Sequence, residues 1–189
     1  MSRIVYRHPS PSRCVVGTVG EPGERAFFIQ VLSPTGLNCV LVEKSQVQAL
    51  VERLQLMIRE LRRNKLASLD LLNLPAVRDD AQLEYPITED FRAGVIAISY
   101  EQGKQLIDLQ IQGMSEELEE LIEEGDEAEA DADLEIPDLL VISLSIAHAR
   151  GFCDRASQVV SSGRTPCPFC GLPLNIDGHV CPRANGYRR

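Results

Sequence analysis

Residues 13–64, RCVVGTVGEPGERAFFIQVLSPTGLNCVLVEKSQVQALVERLQLMIRELRRN, decide the fold. Three β-branched and aromatic runs, Cys14–Thr18, Ala26–Val31 and Leu37–Val42, are separated by Gly20-Glu21-Pro22-Gly23 and Ser33-Pro34-Thr35-Gly36. Apolar runs bounded by Pro and Gly clusters read as strands joined by tight turns. From Ser45 to Asn64 the period changes. Val47, Leu50, Val51, Leu54, Ile58 and Leu61 recur at three- and four-residue steps, the spacing of one helix face. Arg59, Arg62, Arg63 and Lys65 gather at its C-terminal end, where cations offset the helix dipole. The stretch predicts three strands followed by a helix.

The same order returns downstream. Phe91–Ser99 reads as a strand and Glu101-Gln102-Gly103 as a turn. Gln105–Gln112 alternates, with Ile107, Leu109 and Ile111 on one face and Asp108, Gln110 and Gln112 on the other. Leu139–Leu144 is a third strand, and Ser145 caps a helix running to about Ser162, with Gly163 as its terminator. Gln48, Leu50, Glu52 and Arg53 match Arg150, Phe152, Asp154 and Arg155 at a constant spacing of 102 residues. Duplication explains the match, and so does chance agreement between two amphipathic helices. Residues 66–88 read as an irregular connection containing a short helix or packed turn around Leu69–Leu74.

The expected fold is therefore α+β: two βββα units, 13–64 and 91–162, forming one mostly antiparallel sheet with the helices packed on it. Neither half buries much core alone, so the body, 1–163, should be cooperative, with residues 164–189 as an appendage.

Hydrophobic residues are 44% of the 189, enough for a real core. No apolar run approaches the ~20 residues that span a bilayer, and MSRIVYRHPSPSR lacks the apolar stretch of a secretory signal. The cytoplasm is the expected compartment. The net charge of −9 is concentrated: residues 116–135 hold twelve acids and no Lys or Arg, leaving 16 acids against 19 bases elsewhere. A global attraction to nucleic acid is thus not expected. Ser115–Glu124 can form a helix, whereas the insert at about 123–136 has too little apolar area to offset its ordering entropy and is expected to be disordered. It reads as a solvated linker or as a docking strip for a basic partner.

The most specific chemistry lies at the end, in CPFCGLPLNIDGHVCPRANGYRR. Cys167, Cys170, His179 and Cys181 form C-x2-C-x8-H-x-C. Thiolate and imidazole donors at this spacing suit tetrahedral zinc, the first pair sharing one tight turn. A disulfide or redox pair at Cys167-Cys170 is the rival. A thioredoxin-type pair opens a helix after a strand, while this one follows a helix and lies among prolines. Four protein ligands leave no open position for water, so the zinc reads as structural. Cys14, Cys39 and Cys153 sit in apolar patterns and read as buried free thiols.

No catalytic set assembles from the sequence, and no organic cofactor motif is present. Gly17-Thr18-Val19-Gly20-Glu21-Pro22-Gly23 lacks the Gly-Lys-Ser/Thr ending of a phosphate loop and precedes a strand, so it is a hairpin turn. His8 and His148 have no evident nucleophile. Arg183, Tyr187, Arg188 and Arg189 form a small basic surface with one aromatic, suited to a protein partner or, with less charge than is usual, to nucleic acid.

MSRIVYRH, GTVGEPGERAFF, FRAG and CPFCG…GHVCPRANGYRR together resemble an uncharacterised actinobacterial family, catalogued as domain of unknown function 3090. The resemblance spans nearly the whole chain. It implies a cytoplasmic protein with no assigned activity, metal ligands at Cys167, Cys170, His179 and Cys181, and a lipid-kinase-like and a phosphomutase-like protein as neighbours. The leading expectation is a non-enzymatic binding or adaptor protein with a zinc-stapled tail. The alternatives are an enzyme gripping a phosphorylated small molecule between the halves with Arg13, Arg25 or Arg92, and nucleic-acid binding through the tail.

Overall fold

A computed structural model describes residues 3–21, 23–114, 136–162, 167–170 and 181–183. The expected helix at Ser115–Glu124, the acidic insert and the terminator Gly163 lie outside them. The elements are β1 (Val5–His8), β2 (Arg13–Val19), β3 (Ala26–Ser33), β4 (Gly36–Val42), α1 (Lys44–Arg63), α2 (Leu69–Asn73), β5 (Phe91–Glu101), β6 (Leu106–Gly113), β7 (Leu139–Ser145) and α3 (Ile146–Ser161). Both βββα units are present, as the two periodicities require. One strand was not expected: β1, which is short and ends just before Pro9.

The seven strands form one sheet in the order β1-β7-β6-β5-β4-β3-β2. Each unit is an antiparallel meander. The two meet where β4 and β5 run parallel, through Val40↔Phe91 and Leu41↔Arg92 alone. β1 adds to β7 in parallel. Each long helix starts as its meander ends. α1 begins one residue earlier than expected because the Gln46 Oε1 accepts the Glu43 N–H at 2.8 Å, making Glu43 the cap. At α3 the Ser145 hydroxyl accepts the His148 N–H, as the sequence indicates.

The sheet is rolled. In a flat sheet, six strand spacings would hold β1 about 29 Å from β2. His8 and Arg13 are only five residues apart, and an extended chain of that length spans at most about 18 Å. The two edges must therefore approach each other. The buried His8 side chain shows this directly: its Nδ1 lies 2.7 Å from Ser33 Oγ on β3, and its Nε2 lies 2.8 Å from Asn38 Oδ1 on β4. Asn38 in turn donates to Asp90.

One core fills the face beneath α1 and α3, which pack on each other. Val16, Ile29, Val31, Val40, Val47, Leu54, Ile107, Leu109, Ile142 and Phe152 belong to it. A smaller cluster, Val15, Phe28, Cys39 and Leu83, lies on the opposite face of β2–β4 under the connection before β5. The first meander is thus covered on both faces and reads as continuous apolar runs. The second has a polar outer face, where Ser143 donates to Asp108 at 2.6 Å, and reads as alternation.

The connection from Leu74 to Asp90 is fastened by polar side chains. Arg13 donates from Nε to Asp79 Oδ2 at 2.7 Å and from Nη2 to the carbonyls of Ala81 and Gln82. Gln30 exchanges two hydrogen bonds with the Glu84 backbone. Arg155 donates to Val16 O on the β2 edge and to the Asp79 and Ala81 carbonyls.

Candidate metal centre

The Sγ atoms of Cys167, Cys170 and Cys181 all lie within 4.8 Å of one another. Cys167-Pro168-Phe169-Cys170 makes a turn that puts the first two thiols on one side, as C-x2-C spacing requires. Cys181 enters from the far end of the motif, 3.8 Å from Cys167 between sulfurs. A disulfide needs about 2.05 Å, and all three cysteines are free. Zinc–sulfur bonds of about 2.3 Å set at tetrahedral angles place two sulfurs about 3.8 Å apart. The donor set and the spacing therefore fit a tetrahedral thiophilic ion.

Cys167 and Cys181 are buried, and Cys170 is partly exposed. Burial raises the Cys167 thiol. The backbone N–H groups of Cys170 and Phe169 and the thiols of Cys170 and Cys181 outweigh it, and the thiol lies below its ordinary range. A Cys167 thiol held toward its thiolate form suits a cation ligand.

Arg183 is exposed and donates from Nη1 to Phe169 O at 3.2 Å, closing the turn against the segment that carries Cys181. Phe169, 65% exposed, stands beside it, an aromatic that sequence reasoning passed over. His179, Tyr187, Arg188 and Arg189 lie outside the described residues.

The other three cysteines are buried, as expected, and chemically quiet. Burial pushes Cys14 and Cys153 up to about 12 and Cys39 up to about 11. Thiol titration of chelator-treated native protein should label the C-terminal cluster, with Cys14, Cys39 and Cys153 reacting only after denaturation. Labelling of all six in the native state would contradict this burial.

Each of the three arginines offered as an anion grip is engaged with the chain's own groups. Arg13 is spent on the 79–84 connection, Arg25 donates to Ser162 O at the end of α3, and Arg92 pairs with Glu43 before α1. The histidines have serine neighbours the sequence did not reveal, His8 with Ser33 and His148 with Ser145, each through Nδ1. Ser33 is buried with His8, and Ser145 serves as a helix cap, so both pairs are structural pins. A cleft of about 460 Å³ between α3 and the connection carries Arg78 and Arg155 against Asp79, Asp80 and Asp154, a mixed lining with no excess of positive charge.

A family model described as "Protein of unknown function (DUF3090)" matches residues 6–181. The chain belongs to the DUF3090 family. The match runs from β1 through the last cysteine of the cluster, so the body and the candidate metal ligands fall within one family unit. No curated protein and no solved structure matches the chain. Among the described residues, no helix of this DUF3090 member is long and apolar enough to cross a membrane.

Proposed function

We propose that the chain is a non-catalytic binding protein whose C-terminal segment is built on a structural zinc ion. Cys167, Cys170, His179 and Cys181 supply the shell, and the ordered segment offers Arg183, Tyr187, Arg188 and Arg189 to a protein partner. The observation that carries this reading is the thiol cluster, with two buried sulfurs held 3.8 Å apart and a third within 4.8 Å. Buried thiols in a short turn segment with little apolar surface gain most from a cation, because metal binding supplies folding free energy that such a segment lacks. A filled Cys3His shell leaves no site for an activated water, so the ion's role is to staple.

Elemental analysis of protein purified without chelators should find about one zinc per chain. Cys170→Ser should release it and make the C-terminal segment protease-sensitive, while the sheet body unfolds at an unchanged temperature. Metal-free protein from zinc-replete cells would sink the zinc assignment. Loss of the body's melting transition in Cys170→Ser would sink the staple as a separate element.

A further inference from the structure

β5 has eleven residues, but only Phe91 and Arg92 pair with β4. β4 ends at Val42, and the chain turns into α1. Among the described residues, Ile96–Glu101 pair only with β6. Their other edge faces α1. Gln46 Nε2 donates to the carbonyls of Ala93 and Gly94, both at 3.0 Å, and so satisfies the first acceptors beyond the ladder. Past that point a groove of about 510 Å³ opens between Ala49, Leu50 and Arg53 of α1 and Ile96, Ala97 and Ile98 of β5. Ile96 and Ile98 are only partly buried, although their cross-strand neighbours Ile111 and Leu109 are fully buried. The apolar layer is incomplete along this line.

The other helix shows what fills such a groove. Gln46, Ala49, Leu50 and Arg53 wall the α1 groove; His148, Gly151, Phe152 and Arg155, at the same 102-residue spacing, wall the pocket between α3 and β2. There the chain's own residues 77–82 lie across the helix. The Val77 N–H donates to Ala147 O, and Arg155 binds the Asp79 and Ala81 carbonyls and the Asp79 carboxylate. No described residue does this for Arg53, which is exposed.

We propose that the α1–β5 groove is a peptide-docking site for an extended, acidic segment of a partner protein. The segment runs along the open edge of β5, exchanges backbone hydrogen bonds with it, sets an apolar side chain on Ile96 and Ile98, and places a carboxylate on Arg53 as Asp79 does on Arg155. The chemistry selects this occupant. An open strand edge needs backbone N–H and C=O partners, and among the described residues Arg53 is the only charge in the lining. A second copy pairing through β5 would drive two α1 helices together and set two Arg53 side chains at one seam, with no carboxylate for either among the described lining residues. The site lies on the sheet body and does not depend on the metal.

The test is selection of displayed random peptides on the full-length protein, followed by synthesis of the winners. Enrichment of an acidic residue flanked by apolar ones is expected. Bound peptide should slow amide exchange at Ile96–Glu101, and Arg53→Glu should weaken binding about tenfold or more. Arg53 is exposed, so the variant should melt like the parent, and Cys170→Ser should bind unchanged, which separates this site from the zinc. No enrichment, or peptides indifferent to Arg53→Glu that leave Ile96–Glu101 exchange unaltered, would overturn the proposal. So would protection of the same amides in a concentration-dependent dimer without peptide.

Discussion

Arg13→Met is expected to lower stability by about 3 kcal/mol, because Arg13 is the buried partner of a half-buried, hydrogen-bonded ion pair and its removal takes several bonds from the connection at once. Arg13 is 8% exposed and donates to Asp79, Gln30, Ala81 and Gln82. Its loss removes the donor to the Gln82 carbonyl and the closest bond to the Asp79 carboxylate, while Ala81 O keeps its bond from Arg155. Arg155 still reaches Asp79 at 3.3 Å, which holds the cost toward the low end of the range. Urea denaturation of parent and variant measures the difference. Arg13→Lys keeps the charge but loses the planar fork and should fall between them.

The same pair sets a pH dependence. The hydrogen bond from Arg13 is the leading cause holding the Asp79 carboxyl below its ordinary value, with burial opposing it. A carboxyl depressed in the folded state contributes stability that is fully present above its unfolded pKa, about 3.9, and is lost as pH falls through the lower folded value. Stability of the parent should therefore drop below about pH 4, and Arg13→Met should flatten that part of the curve. An equally steep acid loss in the variant would show that another carboxyl is responsible.

Gly151→Ala is the second large effect. In an ordinary helix interior the change would gain up to about 1 kcal/mol, since glycine is the poorer helix former. Here the added Cβ would overlap Val77 O and lie 2.6 Å from its carbonyl carbon. That atom is backbone, anchored by the Val77 N–H bond to Ala147 O at 3.0 Å. Overpacking against a fixed chain costs about 3 kcal/mol, which exceeds the propensity gain and decides the sign. Thermal melting should show a clear loss, and Val77→Ala should not restore it, because the clash is with backbone. A neutral or stabilising result would mean that the connection is free to lift off α3.

The periodic parts of this molecule were readable in advance. Six strands, both long helices and the Ser145 cap follow from local spacing and agree to within a few residues, whereas around Leu69–Leu74 the spacing left a short helix and a packed turn both open, and the structure has a helix at Leu69–Asn73. The cysteine cluster also follows from local spacing, since C-x2-C sets two sulfurs on one turn whatever surrounds it. β1 was missed because four residues before a proline carry too little pattern; it forms by pairing with β7. Arg13 looked like an anion-gripping residue because its partner Asp79 stands 66 positions away, in a segment without periodicity. The role of Gly151 was equally hidden, as it depends on which chain crosses the helix.

By itself, then, the sequence determined six of the seven strands, the two long helices, the two βββα units and the grouping of Cys167, Cys170 and Cys181, because backbone preference, amphipathic period and metal-ligand spacing act over a few residues. Only the tertiary structure decided that the sheet rolls until β1 approaches β3 and β4, that Arg13 and Arg155 bind a connection, and that β5 keeps an open edge beside α1. Strand partners and buried ion pairs join residues far apart in the chain. Their choice rests on which long-range contacts bury the most apolar surface while leaving no polar group unpaired.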